Sequence, residues 1–239
     1  MDGEKFTNYP LTIKALLGLI EANDIAIPEI QRPFVWKNTQ VRDLIDSLYK
    51  GYPTGYIILW KNPNVKLKDG TMSSGKKVII DGQQRITALI TAIAARKVIN
   101  SDFKESRVTI AFNPFAALDF LNGDSEAEIF AVQTPAHLKS KHWIPDIAEI
   151  FKPTFASWTF IPKYIELNSE ISGDDLQRVI TMLKGVETTQ VGVIELSKKL
   201  DIDVVTDIFI RINSKGTPLS QGDFVMSKMA EGERWLHRL

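Results

Sequence analysis

A chain of 239 residues with 44% hydrophobic residues is long enough to bury a core, which excludes global disorder. Lysine plus arginine equals aspartate plus glutamate at 29 each, so the net charge is zero and bulk electrostatics do not favour nucleic acid. The absence of cysteine excludes disulfides and thiolate metal sites, and the three histidines are too scattered to predict a zinc site.

The N-terminal region carries no sign of a targeting or membrane segment. Its first residues, MDGEKFTNYPLTIKALLGLI, lack a basic start followed by a long apolar run. Because cysteine is also absent, we expect a cytoplasmic protein that has no contact with a membrane.

Helical and strand patterns alternate in the first part of the chain. Apolar spacing predicts a helix over residues 11–20, and the β-branched run at 25–30, stopped by Pro33, predicts a strand. Asn38 is the predicted N-cap of a second helix that ends at Gly51. The buried stripe of that helix comprises Val41, Leu44, Ile45 and Leu48.

A strand, a sharp polar turn and a helix are predicted in succession between residues 78 and 93. A compact strand at 56–60 and a polar loop at 61–77 precede them. Residues 78–80 form a short buried strand, and from Gln83 onward the spacing becomes helical. The stripe that faces the core consists of Ile86, Leu89, Ile90 and Ile93.

The remainder of the chain is predicted to be mostly helical, especially over residues 126–188. A strand at 107–112 and a turn-rich stretch at 113–125 come before it, and a strand at 190–196 follows. Helices are predicted at 204–213, ended by Gly216, and at 220–230. The aromatic residues expected in the core are Trp143, Phe151, Phe155, Trp158 and Phe160.

These elements predict an α+β fold built as one module. We divide it into an N-terminal helical lead (1–24), an α/β core (25–125) and a mostly helical part that completes the same module (126–239).

The turn within VIIDGQQRITAL is the strongest candidate for chemistry. A strand that enters a helix through Asp81 and Gly82 leaves backbone N–H groups pointing into one small volume, which is an anion site by geometry. Arg85 falls in the first helical turn, where a cation opposes the helix dipole, and such a local misfit often marks function. Charge-assisted bonds from its guanidinium to a phosphate would contribute about 1.5–3 kcal/mol each. Asp81 would hold a metal or orient a water, and Gln83 or Gln84 would position that water or a base.

A purely structural interpretation fits the same turn equally well. Asp81 followed three residues later by Gln84 matches a capping box, in which case Arg85 is an ordinary surface residue.

Two further clusters of residues are weaker candidates for a ligand site. Gln31, Arg32 and Lys37 surround Phe34 and Trp36, and cations beside aromatic faces suit a nucleotide. The alternative is that both aromatic residues belong to the core and that Arg32 is an ordinary ion-pair partner.

The second of these clusters lies in IFIRINSKGTPLS. Asn213, Lys215 and Gly216 fall in a predicted loop between helices, where donors could contact a ligand. Alternatively, Gly216 is only the residue that ends a helix.

Four segments taken together resemble the N-terminal domain family of GmrSD restriction endonucleases. They are QRPFVW from Gln31, YPTGYIILW from Tyr52, DGQQRITAL from Asp81 and FIRINSKGTPLS from Phe209. The DGQQR element is the most specific of them, and the resemblance covers roughly residues 25–226.

The resemblance implies a fold like that of ParB and sulfiredoxin, in which a strand-turn-helix element cradles nucleotide phosphates. It implies a hydrolytic or phosphate-binding core of Asp81, Gln83, Gln84 and Arg85, with Asp81 as the Mg²⁺ ligand. The residues it implies for nucleotide binding are Gln31, Arg32, Trp36, Gly82, Asn213, Lys215 and Gly216.

Related full-length proteins join this module to a C-terminal HNH-type nuclease domain and attack modified foreign DNA. The implied function is a regulatory domain of a modification-dependent, type IV-like restriction system that binds and hydrolyses a nucleoside triphosphate. Because an HNH-type domain is missing from these 239 residues, we expect a fragment or one half of a split system.

Two other functions stay open. In the first, the chain is a ParB-like, metal-dependent nuclease in which Asp81 and Arg85 act on a DNA phosphodiester. In the second, it is a non-catalytic module that recognises modified DNA or a partner subunit.

Overall fold

The computed structural model describes residues 5–26, 33–61, 75–124 and 126–213, with side chains described as far as Arg211. Several predicted features lie outside these residues: Gln31, Arg32, Lys215, Gly216, most of the loop at 61–77 and the helix at 220–230. The side chain of Asn213 also lies outside them.

Strands and helices alternate irregularly along the described chain. The strands are β1 (Phe6–Thr12), β2 (Ile25–Ala26), β3 (Tyr56–Trp60), β4 (Lys77–Asp81), β5 (Val98–Ile99), β6 (Glu105–Ser106), β7 (Ile110–Phe112), β8 (Phe130–Val132) and β9 (Gln190–Leu196). The helices are α1 (Ile13–Glu21), α2 (Asn38–Tyr49), α3 (Gln83–Ala92), α4 (Pro114–Leu121), α5 (Pro135–Lys139), α6 (Ala148–Phe151), α7 (Ser157–Leu167), α8 (Gly173–Gly185) and α9 (Ile202–Asn213), with a 3₁₀ turn at Val186–Thr188.

A mixed five-stranded sheet organises the fold, in the order β1-β9-β3-β4-β2. β1 pairs antiparallel with β9 and β3 pairs antiparallel with β4, whereas the β9–β3 and β4–β2 pairs are parallel. The β3–β4 register shifts between Ile58 and Leu59, beside the end of β4 that leads into α3. The mixed sheet with its helices agrees with the predicted α+β class.

Both faces of the central strand β3 are covered, which explains why its sequence YIILW is continuously apolar. Successive side chains of a strand point to opposite faces. Ile57 and Leu59 belong to the main core, together with residues from α1, α2, α3 and α8. Ile58 and Trp60 pack with Val205 of α9 in a second cluster. The sheet is thus a middle layer between α9 and the larger group of helices.

The helix α2 forms as predicted except at its first turn. Its stripe is buried, and Gly51 follows its end in the left-handed region at φ 74°. The N-cap is Lys37 and not Asn38, which is already helical. The backbone N–H of Lys37 donates to Oε1 of Gln40 at 2.8 Å, so a glutamine in the first turn completes this end of the helix.

Pro114–Leu121, within the stretch where turns were predicted, forms the helix α4. The side chain of Asn113 accepts bonds from the N–H groups of Phe115 and Ala116, and Pro114 occupies the first helical position. Asparagine and proline are turn formers, but in these two positions they start a helix.

The predicted strand at 107–112 is shorter than expected, because only Ile110–Phe112 pairs with β8. The preceding residues bond to α3 instead: the N–H of Val108 donates to Oγ1 of Thr91 at 2.8 Å.

The middle of the chain is mostly helical, as predicted, from α5 to α8. Of the aromatic residues expected in its core, Phe151 is buried and Trp143, Phe155 and Phe160 are partly buried. The prediction for Trp158 was wrong, since this residue is 78% exposed. Phe160, Ile161 and Tyr164 form the packed side of α7, and Trp158 lies off that side in the first turn.

Candidate functional site

The predicted strand, turn and helix are present, and the turn follows the C-terminal end of β4. β4 ends at Asp81, Gly82 adopts φ 92° and ψ 7°, and α3 begins at Gln83. The first intrahelical bond runs from the N–H of Ile86 to the carbonyl of Gly82 at 3.0 Å. The N–H groups of Gln84 and Arg85 therefore lie before the first intrahelical hydrogen bond. They are at the end of the helix that carries the positive pole of its dipole.

Gly82 is required at this turn for two reasons. Its left-handed backbone favours glycine, and an added Cβ would lie 2.4 Å from Cδ1 of Ile57 and 3.3 Å from Nη2 of Arg85. The tight turn and the neighbouring strand leave no space for a side chain.

The Arg85 side chain turns inward and is not an ordinary surface residue. Its Nη1 donates to the carbonyl of Thr54 at 2.8 Å, and its Nη2 donates to Oδ2 of Asp81 at 3.1 Å. The side chain of Arg85 is 19% exposed and that of Asp81 is 27% exposed. Burial lowers the pKa of Arg85 and the charge of Asp81 opposes that shift, so the guanidinium stays a cation.

Gly55 closes the other side of the guanidinium. Its φ is 83°, and an added Cβ would lie 2.6 Å from Nη1 of Arg85. Arg85 is thus held between two glycines, one on the turn before β3 and one on the turn after β4. The sequence alone could not predict the contact between Gly55 and Arg85, because it joins residues far apart in the chain.

Gln84 links the start of α3 to the segment that precedes α2. Its Oε1 accepts bonds from the N–H groups of Val35 at 3.0 Å and Trp36 at 3.4 Å, and its Nε2 donates to the carbonyl of Pro33 at 3.3 Å. The capping box expected between Asp81 and Gln84 does not form. Gly82 is the N-cap, with no side-chain capping bond. The Gln84 amide bonds instead to the backbone of the segment that precedes α2.

The structure brings part of the predicted site together. Asp81, Gly82, Gln84 and Arg85 share one turn, and Gln84 contacts the backbone at Trp36. The Trp36 side chain is partly buried against the main core, and Phe34 is buried in it. Gln83 is partly buried at the first position of α3.

The carboxylates of the described residues do not form a metal cage. Within residues 5–26, 33–61, 75–124 and 126–213 there is no group of three or more His, Cys, Asp or Glu side chains that could hold a metal ion. Mg²⁺ at nucleotide sites needs fewer protein ligands, because it is held by one or two carboxylates together with phosphate oxygens and water. The single carboxylate of Asp81 fits a Mg²⁺ ion whose other ligands are phosphate oxygens and water.

A second polar cluster lies at the opposite end of β4. Nζ of Lys77 is 2.6 Å from Oε2 of Glu195, and the hydroxyl of Tyr9 donates to the same oxygen at 2.6 Å. Burial alone would raise the pKa of Glu195, but the hydrogen bonds from Lys77 and Tyr9 outweigh it and the pKa is lowered. This cluster connects β1, β9 and β4, and nothing in the sequence pattern indicated it.

Comparison with known proteins decides the family. The family model described as the N-terminal domain of the GmrSD restriction endonuclease matches residues 13–230. The chain belongs to this family. The match contains all four segments that carried the resemblance, including DGQQR.

A curated relative adds a partial match. An uncharacterized protein of Methanocaldococcus jannaschii is 28% identical over 102 residues. The aligned part covers 34% of this chain and 17% of that protein. No helix in the described part of this GmrSD N-terminal domain is long and apolar enough to cross a membrane.

Proposed function

We propose that this GmrSD N-terminal domain binds and hydrolyses a nucleoside triphosphate, and so regulates a modification-dependent DNA restriction system. The observation that carries the proposal is the Arg85 guanidinium, fixed between Gly55, Gly82 and Asp81 at the start of α3. Membership of a restriction endonuclease family supports the DNA-related role.

The start of α3 has the donors that a phosphate requires. The N–H groups of Gln84 and Arg85 lie before the first intrahelical hydrogen bond of α3, and the Arg85 guanidinium lies beside them. The bond to the carbonyl of Thr54 fixes the plane of the guanidinium, so little ordering is needed when a ligand arrives. A guanidinium has five N–H donors, more than the bonds to Thr54 and Asp81 use. The remaining donors can bind a phosphate.

Asp81 is the residue that would hold Mg²⁺, together with the phosphates. The ion would supply positive charge against the phosphate oxygens. Asp81 also keeps the Arg85 guanidinium in place by its ion pair, so the carboxylate has a role before any ligand binds.

The two glutamines take different roles in this proposal. The Gln84 amide bonds to the backbone of residues 33–36 and so ties that segment to the start of α3. Gln83, the first residue of α3, would orient the attacking water. In hydrolysis the water oxygen bonds to the γ-phosphorus while the bond to the bridging oxygen breaks, which releases inorganic phosphate and a nucleoside diphosphate.

Other members of the site and its partners follow from the family resemblance. Gln31, Arg32 and Trp36 would border the nucleotide, and Asn213, Lys215 and Gly216 would close it from the second half of the chain. The strand-turn-helix arrangement supports a ParB-like phosphate site. Modified DNA and an HNH-type nuclease, on the same or another polypeptide, are the proposed partners.

A nucleotide-dependent thermal shift tests this function, with Arg107 as the matched control. Arg107 also pairs with an aspartate, Asp146, at 2.8 Å and donates to a carbonyl, that of Thr91, at 3.2 Å. Arg85→Lys and Arg107→Lys both keep the positive charge but replace the planar guanidinium, with its several N–H donors, by an ammonium group. Each variant is compared with its own nucleotide-free form, so a loss of stability is not mistaken for a loss of binding.

The wild-type chain and Arg107→Lys should be stabilised by a nucleoside triphosphate with Mg²⁺, and Arg85→Lys should not. A hundredfold excess over the dissociation constant stabilises by about 2.7 kcal/mol, which is readily detected. An undiminished shift in Arg85→Lys would remove Arg85 from the site and refute the proposal.

Phosphate release separates hydrolysis from binding. We expect the wild-type chain to release inorganic phosphate and Asp81→Asn to lose that activity. Plasmid nicking by the wild-type chain that Asp81→Asn abolishes, without phosphate release from nucleotide, would favour the nuclease function instead.

A further inference from the structure

Asp81 and Arg85 form an ion pair at the turn where the proposed phosphate would bind. Oδ2 of Asp81 is 3.1 Å from Nη2 of Arg85. The pair is not fully buried, because the side chain of Asp81 is 27% exposed and that of Arg85 is 19% exposed. A ligand that approaches from solvent therefore meets both charges, and they have opposite signs.

A carboxylate this close to the guanidinium opposes the binding of a metal-free phosphate. A phosphate oxygen that bonds to Arg85 must lie near the charge of Asp81, and like charges repel most strongly where water is partly excluded. Burial lowers the pKa of Arg85 and the charge of Asp81 opposes that shift, so the two side chains act on each other directly. Asp81 thus competes with any phosphate for the same cation.

Mg²⁺ without phosphate has no complete site at this turn. Within the described residues no group of three or more His, Cys, Asp or Glu side chains could hold a metal ion. Mg²⁺ gives up its water ligands reluctantly, so a single carboxylate that already pairs with Arg85 binds it weakly. An ion that arrives on phosphate oxygens brings further ligands with it, and it neutralises the phosphate charge that would face Asp81.

We propose that Asp81 restricts the site to metal-bound triphosphates, so that Mg²⁺ and the phosphates bind together and neither binds tightly alone. The inference rests on the proposed function, since it concerns the same turn. Beyond holding the ion, the carboxylate excludes the metal-free ligand. By thermodynamic linkage, the phosphates raise the affinity for Mg²⁺ by the same factor by which Mg²⁺ raises the affinity for the phosphates.

Thermal unfolding of the whole chain in four solutions measures this coupling. The solutions contain no ligand, MgCl₂ alone, an equimolar mixture of ATP, GTP, CTP and UTP in EDTA, and the same mixture in MgCl₂. The mixture makes the result independent of which nucleotide the site prefers. A concentration series gives the half-saturating nucleotide concentration from the rise in unfolding temperature.

Asp81→Asn is the test variant and Asp146→Asn is its matched control. Asparagine keeps the size of the side chain and an acceptor for Arg85, while the carbonyl of Thr54 still accepts the bond from Nη1. The charge alone is removed. Asp146 also pairs with an arginine, Arg107, at 2.8 Å, but that arginine bonds to Thr91 near the other end of α3.

The wild type and Asp146→Asn should need about tenfold or more nucleotide for half-saturation in EDTA than in MgCl₂, from the usual strength of charge repulsion near a protein surface. MgCl₂ alone should leave their unfolding temperature unchanged. Asp81→Asn should bind metal-free nucleotide about tenfold more tightly than the wild type does, and MgCl₂ should change its affinity by less than about threefold.

The outcomes distinguish the inference from the function on which it rests. Equal wild-type affinity with and without Mg²⁺, or stabilisation by MgCl₂ alone, refutes the selective role of Asp81 and leaves the phosphate site standing. The same holds if Asp81→Asn keeps the wild-type dependence on Mg²⁺ or binds no nucleotide in either solution. The wild-type comparison needs no variant, so it decides the question even if Asp81→Asn does not fold. If nucleotide stabilises the wild type in neither solution, the proposed function fails and the inference fails with it.

Discussion

Gly55 and Arg85 are in direct contact, although thirty positions separate them: a Cβ at Gly55 would lie 2.6 Å from Nη1 of the arginine. The neighbouring carbonyl of Thr54 accepts a bond from the same nitrogen. The turn before β3 is therefore shaped around the guanidinium, and the position of that cation depends on a residue without a side chain.

Gly55→Ala should destabilise the protein by more than its backbone conformation alone explains. A left-handed residue other than glycine costs roughly 1–2 kcal/mol, and here the added methyl group also displaces the guanidinium. Gly51→Ala is the control, because Gly51 has φ 74° and nothing within 4 Å of its added Cβ. Urea denaturation measures both. Equal losses in the two variants would show that the guanidinium is not confined by Gly55.

Gln84→Ala should loosen the segment at residues 33–36. The substitution removes the acceptor of the Val35 and Trp36 N–H groups and the donor to the Pro33 carbonyl. Because water can replace part of these bonds, we expect a loss of about 1–3 kcal/mol and faster hydrogen exchange at the Trp36 amide.

Gln177→Ala is the matched control for this glutamine. Gln177 lies on the exposed side of α8 and bonds only a nearby threonine, Thr181, at 2.8 Å in the described structure. A surface substitution of this kind should change stability by no more than about 0.5 kcal/mol. Similar exchange rates at Trp36 in both variants would contradict the role of Gln84.

Glu195→Gln should remove part of the acid sensitivity of the fold. The pKa of Glu195 is lowered from its usual 4.5 in the folded protein, so its stabilising contribution is present above pH 4.5. That contribution is lost as the pH falls through the lowered folded value. The stability difference between wild type and variant should therefore be largest near neutral pH and shrink below pH 4.5, as measured by urea denaturation at several pH values.

Glu149 offers the control for that measurement. It forms an exposed ion pair with Lys152 at 2.7 Å, three residues away on the surface, where water screens the interaction. Glu149→Gln should leave the pH profile unchanged. A profile for Glu195→Gln that runs parallel to the wild type would show that the Lys77–Glu195–Tyr9 cluster does not stabilise the folded state.

Local patterns predicted the elements that position the site. β3, β4, α3 and β9 follow from periodic apolar residues bounded by turn formers, and the Asp81–Gly82 junction follows from the change of period. The helix at α4 had a usable local signal, Asn113 followed by Pro114, which starts a helix as readily as a turn.

Contacts across the fold escaped prediction because they depend on how distant elements meet. Gln84 bonds a segment about fifty positions earlier, and Gly55 contacts Arg85 only because β3 and β4 lie side by side in the sheet. Trp158 was expected in the core from its residue type, whereas its exposure depends on which side of α7 packs. The turn from β4 into α3 at Asp81 and Gly82 was predicted, but the hydrogen-bond partners of Gln84 and Arg85 were not.

The most direct test of the central claim is a crystal structure of this domain with a non-hydrolysable nucleoside triphosphate and Mg²⁺. We predict phosphate oxygens within hydrogen-bond distance of the Arg85 guanidinium and the backbone N–H of Gln84. Phosphates bound elsewhere, with the bonds from Arg85 to Thr54 and Asp81 unchanged, would contradict the account.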